Sequence, residues 1–176
     1  MVIKGKHLIY AACIILFLLL AGFAVWYILK PGEEQLIRRH FANLVEQINK
    51  TPLKKEGAIP AMAKAQKIAA MFTEQSQFNV DALKWVSGSF SREVLANNIF
   101  RSRAMFDTLH LSLDHLDIEV AEDQKQAVAR LSAQLSGKMK NSGQDLDEIR
   151  DLECNLKKID SEWLFESFRI HKMIKK

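Results

Sequence analysis

The feature that most constrains this chain is an uninterrupted apolar run near its N-terminus. Residues 8–29 carry no charged side chain, and as a helix these 22 residues would extend about 33 Å, against about 30 Å for the hydrocarbon core of a bilayer. Trp26 and Tyr27 lie at the far end of the run, where amphipathic rings favour the membrane interface. The sequence therefore predicts a short tail over residues 1–7, a transmembrane helix over 8–29 and a linker over 30–32.

A cleaved signal peptide is the alternative interpretation of the same run. Gly22-Phe23-Ala24 resembles a weak cleavage site with small residues at its outer positions. The run continues through Leu29, however, whereas the apolar region of a signal peptide usually has about 7 to 15 residues. This length favours an uncleaved, single-pass anchor with the lipid bilayer as its partner.

The orientation of the anchor is only weakly encoded by charge. Lys4 and Lys6 precede the run, and Lys30, Arg38 and Arg39 follow it, so the positive-inside rule is nearly balanced. The short leading tail suits a signal anchor, which favours a cytoplasmic N-terminus. We therefore expect the rest of the chain to lie outside, in the periplasm or another extracytoplasmic space.

The remainder of the chain has the length of one domain and a balanced charge. Of the 25 Lys and Arg residues, three (Lys4, Lys6 and Lys30) flank the apolar run, which leaves 22 against 21 Asp and Glu in residues 31–176. Proteins that bind nucleic acid usually concentrate excess positive charge on one surface. Nucleic acid is therefore not an expected partner of this domain.

Helical and strand periodicities alternate along residues 33–174. One amphipathic helix begins at Glu33, and a second covers 58–72 with Pro60 in its first turn. A short strand follows over 77–83, and Ser91 is placed to cap a third helix that ends near residue 106. The period then changes to two, which predicts four antiparallel strands and the order helix, helix, strand, helix, strand, strand, strand, strand.

The apolar parity changes within the first of those four strands. Leucines alternate up to Leu113, and the alternation resumes in the opposite parity from Leu116 to Val120. Such a change predicts a β-bulge near Asp114-His115 that bends the strand. We expect an α+β domain in which three helices pack on a strongly bent, mainly antiparallel sheet.

The closing hairpin carries charged residues, a turn and then Trp163 with apolar residues, in the segment from Leu156 to Phe165. Together with the order of elements, this hairpin resembles the nuclear-transport-factor-2-like superfamily, which includes SnoaL-like proteins with a cystatin-like fold. The resemblance covers residues 33–174 and implies a cone formed by a bent sheet around the first helix. It also implies that the mouth of the cone serves as an active site, a ligand pocket or a docking face, and that a homodimer or another protein partner is expected.

The leucine parity indicates which residues would line such a cone. If the leucines mark the concave side, the expected lining is apolar and consists of Leu109, Leu111, Leu116, Ile118, Leu131, Leu135 and Leu156. An apolar small molecule is the ligand that this lining would accept.

Two residues are candidates for proton transfer inside the cone. His40 lies between apolar positions of the first helix, and Asp81 lies in the predicted first strand. The simpler interpretations are a boundary histidine with a satisfied hydrogen bond and an ordinary turn or edge residue.

No cofactor or metal is predicted from the sequence. His110, His115, Asp117 and Glu119 share the polar face of one predicted strand, but their spacing matches no known ligand motif. Cys13 and Cys154 are not expected to form a disulfide, and Cys154 suits a small, buried apolar position.

These observations favour a membrane-anchored, non-catalytic interaction or apolar-ligand-binding module. By analogy with small bitopic proteins of related fold, it is a candidate scaffold component of an envelope complex. The alternative is a small hydrolase or isomerase that acts on an apolar, membrane-derived substrate, with His40 or Asp81 as the base.

Overall fold

The computed structural model describes residues 31–49, 57–80 and 87–171. The predicted tail and transmembrane helix, residues 1–7 and 8–29, lie outside these ranges, as does Asp81. Within the described ranges, no helix is both long and apolar enough to cross a bilayer.

Three helices are present in the described part of the chain: α1 (Glu33–Ile48), α2 (Ala58–Ala70) and α3 (Arg92–Ala104). α1 begins at the predicted residue, where Glu33 and Glu34 place negative charge at the positive end of the helix dipole. The predicted cap of α3 is confirmed, because the Ser91 hydroxyl oxygen accepts a hydrogen bond from Val94 N at 3.4 Å.

Six strands form one mixed sheet in the order β2-β1-β6-β5-β4-β3. β1 runs parallel to β6, and every other neighbouring pair is antiparallel. The strands are β1 (Phe72–Val80), β2 (Gly88–Ser91), β3 (Phe106–Val120), β4 (Gln126–Met139), β5 (Asp145–Ile159) and β6 (Glu162–Ile170).

The structure corrects the predicted strands in two places. Residues 88–91 form β2, a strand before α3 that the sequence analysis omitted. β1 begins at Phe72, five residues before the predicted start, because it opens with a polar stretch in which Thr73 and Ser76 are buried. An apolar alternation could not reveal a strand whose buried side chains include hydroxyls.

The bulge in β3 is confirmed. The register of β3 against β4 shifts between Asp114 and Asp117, and His115 adopts a left-handed backbone with φ of 53°. This shift keeps the apolar side chains on the concave face on both sides of the bend.

The start of α1 is tied to the β5-β6 hairpin by one carboxylate. Lys158 Nζ lies 2.7 Å from both carboxylate oxygens of Glu33, and Trp163 Nε1 donates to Glu33 Oε2 at 2.9 Å. The side chains of Glu33 and Lys158 are only 17% and 22% exposed. Because these charged groups are largely shielded from water, losing one of them leaves the others poorly solvated.

We predict that Glu33→Ala lowers the free energy of unfolding by about 1–3 kcal/mol, since it removes the acceptor of a part-buried ammonium and a buried indole. The matched control is Glu34→Ala, which removes a carboxylate from the same helical turn. Glu34 pairs with Arg38 at 2.7 Å on an exposed surface, so its loss should cost no more than about 0.5 kcal/mol. Urea unfolding of the full chain in mild detergent, followed by circular dichroism, measures both values. An equal loss of unfolding free energy in the two variants would show that the contacts of Glu33 with Lys158 and Trp163 contribute nothing to stability.

Candidate ligand-binding site

An apolar cavity of about 460 Å³ lies between the concave face of the sheet and the three helices. Side chains of α1 and α2 form its inner end, where Phe41 and Ile68 are almost completely buried. One wall is aliphatic and comes from β3, β4 and β5: Leu109, Leu111, Leu113, Leu131, Leu135 and Leu152. The facing wall carries phenylalanines from β1, β2 and β6.

The aromatic wall follows from the parallel pairing of β1 and β6. This pairing places Phe78 opposite Phe168, and their rings stack with centroids 5.8 Å apart and an angle of 7°. Phe72 and Phe90 complete the wall, with centroids 5.9 Å and 5.8 Å from that of Phe78. The sequence analysis missed this wall because each strand contributes only one or two of its rings, and β2 was not predicted.

Four of the seven residues predicted to line a cone contribute to the cavity: Leu109, Leu111, Leu131 and Leu135. The structure places the other three elsewhere. Leu156 is 1% exposed within the core, and Leu116 and Ile118 pack against that core beyond the bulge of β3. The parity argument identified the concave face, but it could not indicate which part of that face is filled by α1.

Among the described residues that line the cavity, the polar ones all come from α3: Asn98, Ser102 and Arg103. Arg103 is only 5% exposed. Its Nη1 donates to the backbone oxygens of Gln47 and Ile48 at the C-terminus of α1, where a cation offsets the negative end of the helix dipole. Among the described residues, the lining includes no Asp, Glu or His.

His40 was a candidate for proton transfer inside the cone, but its side chain does not line this cavity. Its ring packs on Phe165, with centroids 4.6 Å apart, and its Nε2 lies 3.3 Å from the carbonyl oxygen of Met71. It borders a separate groove together with Asn43 and Glu162. This is the environment of a boundary histidine with a satisfied hydrogen bond.

Burial sets the proton affinity of His40. Loss of solvent lowers its pKa, and the hydrogen bond to Met71 and the nearby charge of Glu162 offset this effect only in part. The neutral imidazole is therefore the form that the folded protein stabilises.

We predict that this histidine makes stability depend on pH. A folded-state pKa below the ordinary value of 6.5 means that the unfolded chain takes up the proton first. The contribution of His40 is then complete above about pH 6.5 and is lost as the pH falls toward the folded-state value. Native protein should lose more unfolding free energy than His40→Gln between about pH 7.5 and about pH 5.

Urea unfolding at a series of pH values measures this difference. His110→Gln, which removes an exposed imidazole, is the matched control and should keep the native dependence. An identical pH dependence in the native chain and in His40→Gln would contradict the role assigned to burial.

The remaining candidates for chemistry lie away from the cavity. His110, His115, Asp117 and Glu119 are exposed, and Glu119 pairs with Arg130 at 3.0 Å. The described part of the chain contains no group of three or more His, Cys, Asp or Glu side chains that could hold a metal ion.

Cys154 is completely buried, and desolvation raises the pKa of its thiol. A thiol that stays protonated at neutral pH is a poor nucleophile. Cys154 is therefore a small apolar residue of the core.

Comparison with known proteins identifies the fold but gives no close relative. No protein-family profile matches the chain, and no curated protein matches its sequence. A protein from Novosphingobium aromaticivorans, provisionally assigned as a scytalone dehydratase, has a TM-score of 0.65 at 13% identity over 81% of this chain and 85% of its own.

Two further solved structures are described as nuclear-transport-factor-2-like. One, from Salmonella enterica serovar Typhimurium, has a TM-score of 0.62 at 16% identity over 82% of this chain and 93% of its own. The other, from Novosphingobium aromaticivorans and described as cystatin-like, has a TM-score of 0.58 at 13% identity over 90% of each chain. The described domain thus has the cone-like nuclear-transport-factor-2-like fold, with three helices on a six-stranded mixed sheet.

Proposed function

We propose that this chain is a membrane-anchored, non-catalytic module that binds an apolar ligand in the cavity of its cone. The observation that carries the proposal is the composition of the lining, which in the described part of the chain is aliphatic and aromatic apart from three side chains of α3. The volume of about 460 Å³ lies within the range of about 300–1,000 Å³ that small-molecule sites occupy.

The absence of acid and base groups from the described lining favours binding over catalysis. Proton transfer needs a titratable side chain within hydrogen-bond reach of the reacting atoms. His40 borders a different groove, and its ring is enclosed by Phe165 and the Met71 carbonyl. An apolar molecule in the cavity would meet leucine and phenylalanine side chains, which supply burial energy and no chemistry.

The membrane part of the proposal rests on the sequence. Residues 8–29 would hold the domain outside the cytoplasm and close to the bilayer. Apolar molecules concentrate in the bilayer. A role as a scaffold component of an envelope complex, with a protein partner or a second copy of the chain, is compatible with this placement. Native mass spectrometry of the full chain reports both the subunit count and any retained ligand.

We predict that Leu135→Trp weakens ligand binding because the larger side chain fills part of the aliphatic side of the cavity. The full chain in lipid vesicles is exposed to an alkyl probe with a photoreactive diazirine in its tail. Mass spectrometry then measures the labelling of the peptides from β3, β4 and α3. The part of this labelling that is lost when dodecanol is added reports binding in the cavity. Leu135→Trp should reduce this labelling about tenfold or more, equivalent to at least about 1.4 kcal/mol of binding free energy.

The matched control for this variant is Ile149→Trp. Ile149 lies on the adjacent strand β5, is 47% exposed and does not line the cavity. The Ile149→Trp variant should be labelled to the same extent as the native chain. Absence of competed labelling in the native chain, or equal labelling in the two variants, would overturn the proposal.

The hydrolase or isomerase alternative is supported by the structural neighbour that is provisionally assigned as a dehydratase. With His40 outside the cavity, Asp81 is the remaining candidate base, and it lies outside the described residues. If the domain is non-catalytic, the full chain should not turn over medium-chain esters above the rate of a boiled sample. Turnover that falls about a hundredfold or more in Asp81→Asn, as expected for loss of a general base, would replace the binding proposal with the enzymatic one.

A further inference from the structure

The side chains that face the leucines of the cavity include a row of aromatic rings across three neighbouring strands. Phe90 of β2, Phe78 of β1 and Phe168 of β6 follow one another in the strand order of the sheet, and consecutive ring centroids are 5.8 Å apart. All three side chains line the cavity. These three residues, called the aromatic row below, give one side of the cavity a chemistry that the leucine side does not have.

The rings of the aromatic row are only partly covered by the described residues. Phe72 packs on Phe78, and Phe165 packs on Phe168; these two supporting rings are 5% and 0% exposed and belong to the core. Each ring of the row, in contrast, is only partly buried. Rings that only filled the core would be enclosed by other side chains, as Phe72 and Phe165 are. The row therefore offers apolar ring surface that a ligand in the cavity would bury.

The aromatic row contains rings in two different orientations. Phe78 and Phe168 are nearly parallel, at 7°, whereas Phe90 is inclined at 66° to Phe78. Aromatic pairs favour offset stacking or an edge-to-face arrangement, because the face of a ring is negative and its edge is positive. A planar, conjugated ring beside the row can form either arrangement. A saturated ring of similar size gains only from burial of its surface.

From this geometry we infer that the ligand carries a planar, conjugated ring that lies against the aromatic row and an aliphatic portion that lies against the leucines of β3, β4 and β5. The inference rests on the proposed function, because it specifies the ligand class of the same cavity. Each favourable contact between aromatic rings increases affinity about twofold to tenfold beyond the effect of burial. The leucines supply no such preference, so they select the aliphatic portion by burial alone.

The experiment compares hexylbenzene with hexylcyclohexane, which share one carbon skeleton and differ in the aromaticity of the ring. The full chain in lipid vesicles is labelled with the alkyl diazirine probe, and each hydrocarbon is added until half of the labelling of the cavity peptides is lost. Both concentrations are expressed per mole of lipid, which corrects for unequal partitioning into the vesicles. We expect hexylbenzene to compete at an about tenfold lower concentration than hexylcyclohexane.

A double variant tests the assigned residues. Phe78→Leu combined with Phe168→Leu keeps the lining apolar and removes the two parallel rings. This variant should reduce the preference for hexylbenzene to about twofold or less and leave competition by hexylcyclohexane little changed. The matched control is Phe100→Leu, which makes the same replacement on α3, outside the described lining. The control should keep the preference of the native chain.

A milder variant, Phe90→Leu, covers the case in which the double variant does not fold. Circular dichroism of each variant shows whether the native spectrum is retained. Phe90 lies on the four-residue strand β2 at the edge of the sheet, where a replacement disturbs fewer neighbours. The Phe90→Leu variant should lower the preference about threefold, which corresponds to the loss of one aromatic contact. The same preference in Phe90→Leu and Phe100→Leu would contradict the role of the aromatic row.

The outcomes separate this inference from the proposed function. If neither hydrocarbon reduces the labelling of the cavity peptides, apolar binding itself fails, and the proposed function fails with it. If the two hydrocarbons compete equally, or hexylcyclohexane competes better, the cavity binds apolar molecules and the inference of a conjugated ring is overturned. If the preference for hexylbenzene persists in a folded double variant, the assignment to Phe78 and Phe168 is overturned.

Discussion

The domain is organised around the contact between α1 and the concave face of the sheet. Phe41 of α1 meets Phe165 of β6 edge to face at 5.0 Å, and both side chains are buried. This contact fixes how far the helix enters the cone. The cavity is the part of the concave face that α1 does not fill, so the helix that supplies the core also determines where a ligand can lie.

Much of this arrangement could be predicted from apolar patterning. A strand buries alternate side chains, so the reversal of parity at Asp114-His115 predicts a bulge. The same alternation identified four of the leucines that line the cavity. β2 could not be found in this way, because its four residues, Gly88–Ser91, include only one large apolar side chain. The aromatic wall was missed for a related reason: it is created by parallel pairing of strands far apart in sequence.

The polarity of the cavity depends on a feature that patterning does not capture. α3 has little amphipathic character, since its apolar residues are distributed around the helix, and its role becomes visible only when the sheet is placed beside it. Proteins that share this cone at 13% to 16% identity do not share its lining by virtue of the fold. The chemistry belongs to the side chains grafted onto the fold, such as Asn98 and Ser102, more than to the fold itself.

The carboxylate of Glu33 also affects how the domain responds to a pulling force. A helix pulled from its first residue normally unravels turn by turn, because each backbone hydrogen bond is broken in sequence. Here the first residue of α1 is bonded to Lys158 and Trp163 on two neighbouring strands. Tension applied at the N-terminus of the domain is therefore transferred across the hairpin into the sheet, where strand-to-strand hydrogen bonds are loaded together and resist as a group.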